Sequence, residues 1–310
     1  MKRKVIQLYC YLHRTLRYGN SESRLLQFLV IRTRGYLKKY INKNMQVIND
    51  LPPQVIELAH AGKMELHTKD YIDRWLYTSA DFEPHIVKLF LQILEPGNNV
   101  LDIGANIGYF SLIASKRVGA NGNVYSFEPS PATMERLKRN IQLNERTNVQ
   151  LFQKAVSDTE GMVSFQMPAD DIKNSGRASF RQLEENSTVT SVETIRLDSK
   201  MDEIKPVALV KMDIEGAEAM ALKGMTGLIK RDQPVFIMEL SGSYLNQLGY
   251  STFFIINFFQ EHHYKIFVAG DTCYELDNDT ISDEQQYDIV CIPQNSRLLH
   301  TIPQIKRNSR

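Results

Sequence analysis

The chain has 310 residues, 43% hydrophobic and 24% charged, with a formal net charge of +1. That is the composition of an ordinary globular protein with room for one large domain and an extension, and it excludes a low-complexity or collagen-like chain. No window approaches the ~18 consecutive apolar residues of a bilayer span. Three scattered cysteines (Cys10, Cys273, Cys291) have neither metal-ligand nor redox spacing, which makes a reducing cytoplasm the expected compartment.

Charge is unevenly placed. Residues 1–49 carry eleven Lys and Arg against Glu22 alone, +10 in all, which leaves −9 on the rest. Leu25, Leu26, Phe28, Leu29 and Ile31 interleave with these charges, the pattern of a basic helical arm. Such an arm could rest on an anionic membrane surface or an acidic partner, or pack on its own acidic domain. No nucleic-acid recognition motif accompanies it, and nucleic acid is not expected as a partner. The basic start at Lys2-Arg3-Lys4 lacks the apolar core and small-residue cleavage site of a signal peptide. The expected organisation is a basic, mainly helical extension over 1–61, a main domain over 62–295 and a tail over 296–310.

From residue 62 the pattern is regular. Lys63 to His67 predicts a short strand and Tyr71 to Leu76 a helical turn. Phe82-Glu83-Pro84 opens a helix through Leu94, closed by Glu95-Pro96-Gly97. Val100-Leu101-Asp102-Ile103-Gly104-Ala105-Asn106-Ile107-Gly108 then reads as strand 99–103, a glycine turn and helix 107–117. Glycine carries no side chain to hold a ligand away from backbone N–H groups, so a nucleoside-containing cofactor is the first expectation. A dinucleotide fingerprint needs Gly-x-Gly-x-x-Gly. Here the second and third glycine slots hold Asn106 and Tyr109.

Strand 123–127 ends in Glu128, 24 residues after Gly104, near the offset of roughly 20 residues at which an acidic residue meets ribose hydroxyls. Ser130 and Pro131 suit the N-cap and first turn of helix 131–143. Strand 148–152 follows, then a polar stretch with strand-like pieces at 162–167 and 189–197. Strand 207–212 ends in Asp213, with Glu215 and Glu218 in the first turn of helix 215–225. Strand 234–240 carries Glu239, and helix 251–261 precedes strands near 264–268 and 287–292. Strands alternating with helices predict an α/β fold with a Rossmann-like, doubly wound, mostly parallel sheet. The last two strands, joined without a helix, suit an antiparallel pair at its edge.

Taken together, Asp102-Ile-Gly-Ala-Asn-Ile-Gly-Tyr-Phe-Ser, Phe127-Glu-Pro, Lys211-Met-Asp-Ile-Glu-Gly-Ala-Glu and the upstream Glu83-Pro84 resemble the FkbM family of S-adenosylmethionine (SAM)-dependent methyltransferases. The resemblance runs from about Gly62 to Pro293 and leaves out the basic arm. It implies a class I methyltransferase fold, SAM as cofactor, and methyl transfer to hydroxyl oxygens of glycan, glycolipid or polyketide-like acceptors. It also implies that Gly104, Ala105, Asn106 and Gly108 wrap the methionine portion of SAM and that Asp102 orients its ammonium group. Glu128 would hold the ribose, Pro129 the adenine face and Ala155 the adenine edge, with Glu83 closing the site.

An alcohol must lose its proton as the new bond forms, so a nearby base is needed. Asp213, Glu215 and Glu239 are the candidate catalytic residues, and His262-His263 is a rival pair. A divalent ion held by Asp213 and Glu239 would be an alternative device, but no third ligand stands out and no metal is expected. A nicotinamide-dependent oxidoreductase and a non-catalytic binding protein on the same fold are the competing readings; missing fingerprint glycines weigh against the first and intact carboxylates against the second. The segment 168–190, rich in Ser, Asn and Arg (Asn174, Ser175, Arg177, Ser179, Arg181), is where the family builds its acceptor side.

Overall fold

The computed structural model describes residues 4, 7, 8, 10, 39, 43–167, 188–270, 272–277 and 281–302. Most of the basic arm and most of the segment 168–190 thus lie outside the described residues. Two compact units divide the chain, one ending at Glu83 and one beginning at Pro84.

In the first unit a short helix, α1 (Met45–Asn49), precedes an antiparallel hairpin of β1 (Gln54–Leu58) and β2 (Gly62–Leu66). The boundary expected at 61/62 falls in the turn of this hairpin. Sequence patterning marks no element at β1, whose adjacent Val55 and Ile56 break the alternation of a half-buried strand. Helix α2 (Tyr71–Ser79) starts where Asp70 Oδ1 accepts from the N–H groups of Ile72 and Asp73, at 2.9 and 3.3 Å. That satisfies two of the donors a helix start leaves unpaired.

The second unit follows the expected alternation closely. Helix α3 (Pro84–Ile93) leads to β3 (Asn99–Ile103), α4 (Tyr109–Val118), β4 (Asn123–Phe127), α5 (Pro131–Leu143) and β5 (Val149–Phe152). Ser130 caps α5 as its sequence foretells, its Oγ accepting from Thr133 N at 3.3 Å. A detour through β6 (Ala155–Val156), β7 (Gly161–Met167) and β8 (Thr188–Ile195) forms a separate three-stranded sheet. The chain returns at β9 (Leu209–Met212), then α6 (Glu218–Lys223), α7 (Thr226–Asp232), β10 (Val235–Ser241), α8 (Gly242–Gln247), α9 (Thr252–Glu261), β11 (Tyr264–Val268), β12 (Tyr274–Glu275) and β13 (Gln286–Pro293).

The main sheet has eight strands in the order β12-β11-β13-β10-β9-β3-β4-β5. β5, β4, β3, β9 and β10 are parallel. β13 is antiparallel and lies between β10 and β11, not at the edge. Its last five residues, Ile289 to Pro293, are buried, as an interior strand requires.

The two faces of the sheet differ in kind. One is apolar: Leu101, Ile103, Val210, Met212, Phe236 and Met238 pack with Leu222, Leu228, Ile255 and Phe259 of the covering helices. The other carries a lateral row set by register, in which Ser126, Asp102, Lys211 and Ile237 are successive neighbours on β4, β3, β9 and β10. Three of these four are buried polar residues. A buried polar row is costly unless its members satisfy one another or a ligand, and this one ends beneath the crevice described next.

Candidate active site

The chain leaves β3 toward β4 and β5, then returns to pair β9 on the other flank of β3. The carboxyl ends of β3 and β9 therefore border the crevice in which open α/β sheets bind ligands. Beyond β3, the N–H groups of Gly104 and Ala105 both donate to the Phe127 carbonyl at 3.0 Å, which ties the turn to β4. Asn106 holds φ 49°, a left-handed conformation uncommon for a residue with a side chain.

The glycines serve packing as well as ligand approach. A Cβ on Gly104 (φ 81°) would sit 2.0 Å from the Asp213 carbonyl oxygen. At Gly108 (φ 91°) it would sit 2.5 Å from Leu137 Cδ1 of α5. The first clash is with backbone and has no cheap relief, so Gly104 is required by the contact between the two loops.

Glu128 is 7% exposed and joins both motifs: its Oε1 accepts from Ser130 N at 2.9 Å and its Oε2 from Asn106 N at 3.0 Å. Burial pushes its carboxyl up to about 7 against the opposing pull of those two hydrogen bonds. Each oxygen keeps further acceptor capacity, which suits the two hydroxyls of a ribose. Asp102 is also buried. Its Oδ2 accepts from Ser111 Oγ at 2.5 Å, and Ser111 Oγ lies 2.8 Å from Ser126 Oγ. Its Oδ1 is buried and has no hydrogen-bond partner among the described residues. Burial raises its carboxyl pKa, and Lys211 opposes that rise. An ammonium donor would satisfy this oxygen, so the residues present fit the amino-acid end of SAM. Pro129 is half-buried beside Glu128, and Ala155 is buried in β6. Glu83, at φ 47°, closes the N-terminal unit.

On the β9 side, Lys211 is 6% exposed, places Nζ 3.1 Å from Asp213 Oδ2 and lies 4.9 Å from the Phe110 ring centroid. Sequence reading includes Lys211 in the Lys-x-Asp-x-Glu-Gly-Ala-Glu motif but gives this buried cation no role. Its signal is present as a lone lysine inside the apolar run Val207 to Met212. Glu215 (φ 55°) and Gly216 (φ 104°) turn the chain sharply after Asp213. Glu218 Oε1 accepts from Ile214 N at 3.3 Å and Gly216 N at 3.2 Å, so it braces this turn from within. Burial pushes the Glu218 carboxyl up to about 7, and its Oε2 is buried without a hydrogen-bond partner among the described residues.

Glu239 lies within β10, not at its end, because pairing with β13 continues to Ser241. It is half-buried, faces Asp288 in register and accepts from the Gln286 amide. Asp213 and Glu239 thus share the carboxyl edge with Glu128 and the glycine turn. His262 and His263 do not: they lie at the turn from α9 into the amino end of β11, where His262 stacks on Phe258. Among the described residues no group of three or more His, Cys, Asp or Glu side chains is arranged to hold a metal ion. Asn174, Ser175, Arg177, Ser179 and Arg181 lie outside the described residues.

Comparison with known proteins decides what this crevice belongs to. Residues 102–266, more than half of the chain, match the model of the methyltransferase FkbM domain. The chain belongs to the FkbM methyltransferase family. It is a SAM-dependent methyltransferase, and SAM is its cofactor. Among curated relatives, the hexuronic acid methyltransferase AglP of Haloferax volcanii is 27% identical over 179 residues, 57% of this chain and 70% of that protein. The 31-O-demethyl-FK506 methyltransferase FkbM of Streptomyces tacrolimicus is 28% identical over 202 residues, 56% of this chain and 74% of that protein. Among solved structures, a methyltransferase FkbM from Methylobacillus flagellatus aligns with TM-score 0.41 and 14% identity, over 93% of this chain and 60% of that one. Among the described residues no helix is long and apolar enough to cross a membrane.

Proposed function

We propose that this FkbM-family protein transfers the methyl group of SAM to a hydroxyl oxygen of a glycan, glycolipid or polyketide-like acceptor. The observation that carries this reading is the run of carboxylates Asp213, Glu215 and Glu239 along the carboxyl edge beside the glycine turn. Names borne by relatives support the acceptor class: one is a hexuronic acid methyltransferase and one acts on 31-O-demethyl-FK506.

SAM supplies an electrophilic methyl group on a sulfonium. In this reading Glu128 receives the ribose hydroxyls, Asp102 Oδ1 the ammonium, and the turn Gly104-Ala105-Asn106-Gly108 the methionine portion. Pro129 packs on the adenine and Ala155 meets its edge. Asp213, Glu215 and Glu239 receive the acceptor's hydroxyls. Holding oxygen and methyl carbon in line is the main source of rate, since positioning can remove about 7–11 kcal/mol of barrier. Tighter binding of a charge that vanishes during transfer would add little.

The acceptor assignment has a chemical signature. With radiolabelled SAM, hexuronic acid-bearing glycans and polyketide alcohols, the expected product is an alkali-stable methyl ether. An alkali-labile methyl ester, or no labelled product, contradicts hydroxyl transfer. The basic arm supports a second part of the proposal, docking at an anionic membrane surface.

A further inference from the structure

Lys211 is a cation where a cation is costly. It is the third residue of β9, a strand whose four members are all buried. A buried ammonium is tolerated only where it is paired. Lys211 finds its partner on the next turn of chain: Nζ lies 3.1 Å from Asp213 Oδ2, and the Phe110 ring centroid is 4.9 Å from the same atom. Its register partner on β3 is Asp102, whose charged form it favours against burial. Asp213 itself is placed at three of its four polar atoms. Its N donates to the Ile103 carbonyl at 3.1 Å, and its carbonyl oxygen fills the space beside Gly104 that a Cβ would need. Its Oδ2 is held by Lys211. Only Oδ1 is left without a hydrogen-bond partner among the described residues, on a side chain 29% exposed.

We propose that Lys211 is a positioning residue for acceptor recognition: by gripping Oδ2 it holds the Asp213 carboxylate in the rotamer that presents Oδ1 to an acceptor hydroxyl. This rests on the reading in which Asp213 receives such a hydroxyl. With the Asp213 backbone fixed on both sides, two side-chain torsions remain, and the second is broad for an aspartate. An ion pair on one oxygen removes that freedom, because the other oxygen lies in the same carboxylate plane. The ordering is then complete before the acceptor arrives, which is how preorganisation strengthens binding. The atom presented also selects. A carboxylate oxygen accepts hydrogen bonds and donates none. It therefore takes a hydroxyl, which brings a proton, and repels a carboxylate, which brings like charge. On an acceptor that carries both groups, such as a hexuronic acid, Asp213 turns the hydroxyl inward and the carboxylate away. A lysine that only balanced Asp102 would act independently of Asp213.

The test uses the full chain at saturating radiolabelled SAM, with a hexuronic acid-bearing glycan and a polyketide alcohol as acceptors and methyl ether as the product measured. Saturation keeps any change of donor affinity at Asp102 out of the acceptor parameters. Lys211→Met is expected to raise acceptor KM about tenfold to a hundredfold, the effect of a lost hydrogen bond to a charged group, with a smaller change in kcat. A variant that is only less stable has fewer active molecules, so its kcat falls while its KM stays. Asp213→Ala should raise KM at least as much, and adding Lys211→Met to it should move KM by less than about threefold, because the lysine then has no carboxylate to place. Equal increases in KM on the two backgrounds overturn the assignment. If Lys211→Met does not fold, Lys211→Gln decides by the same comparison. Parental KM in Asp213→Ala, or a parent that makes no methyl ether, overturns the reading of Asp213 and the role of Lys211 together. A raised KM in Asp213→Ala beside a parental KM in the Lys211 variant overturns the role of Lys211 alone.

Discussion

Gly104 and Asp213 meet backbone against backbone: the space where Gly104 would carry a Cβ is taken by the Asp213 carbonyl oxygen, 2.0 Å away. Asp213 N in turn donates to the Ile103 carbonyl at 3.1 Å. The glycine turn after β3 and the loop after β9 are thus one rigid junction, and a change on one side moves the other.

Gly104→Ala forces that junction apart and places a side chain at φ 81°. We expect a loss of about 3 kcal/mol, the sum of overpacking and left-handed strain. The thermal midpoint should fall by several degrees, and SAM affinity should fall with it. A variant with parental midpoint and SAM affinity contradicts the contact.

Lys211→Met removes the cation that faces Asp213 and Asp102. An unpaired buried charge costs about 3–5 kcal/mol, but Asp213 keeps solvent contact, its side chain being 29% exposed. We therefore expect about 2 kcal/mol of destabilisation by denaturant unfolding. Asp213→Asn in the same chain should recover part of it. A double-variant cycle with no coupling between the two positions contradicts the ion pair.

Glu218→Gln tests the brace under the Asp213 turn. The folded Glu218 carboxyl lies at about 7 against 4.5 ordinarily. A raised carboxyl pKa means that the folded state binds the proton more tightly. Its contribution is fully present below about pH 4.5 and is lost as pH rises through about 7. The glutamine variant keeps an acceptor for Ile214 and Gly216 N–H and has no proton to lose. Its stability relative to the parent should rise between pH 4 and pH 8 by on the order of 3 kcal/mol. A flat difference across that window contradicts the burial of a titrating group.

The legible and illegible parts of the chain divide on physical lines. Helix periodicity, strand length and caps such as Ser130 are local, and most elements of the second unit stand where the pattern places them. β1 was hidden because Val55 and Ile56 are adjacent, and α7 and α8 because each is a single short run. The place of β13 inside the sheet depends on pairing with β10, which no local pattern encodes. Within the site, acidic residues at strand ends are visible in sequence. The Lys211–Asp213 and Glu128–Asn106 contacts are made by folding.

Trp75 offers a direct readout for the membrane proposal. It is the only tryptophan of the chain, is 46% exposed, and lies 6.0 Å from the Tyr71 ring on α2. Binding to vesicles that contain anionic phospholipid, with a blue shift of its emission, is the expected result, weakening as salt rises. Equal behaviour toward neutral and anionic vesicles contradicts an electrostatic surface interaction.

The most direct measurement is calorimetric titration of the parent and of Glu128→Ala with SAM and, separately, with NADH. The parent should bind SAM and not NADH, more tightly as pH rises through about 7 and the Glu128 carboxylate ionises. Glu128→Ala should bind SAM at least about tenfold more weakly, as loss of charge-assisted hydrogen bonds to the ribose implies. Parental SAM affinity in Glu128→Ala, or a parent that prefers NADH, would contradict a donor seated between the glycine turn and β4.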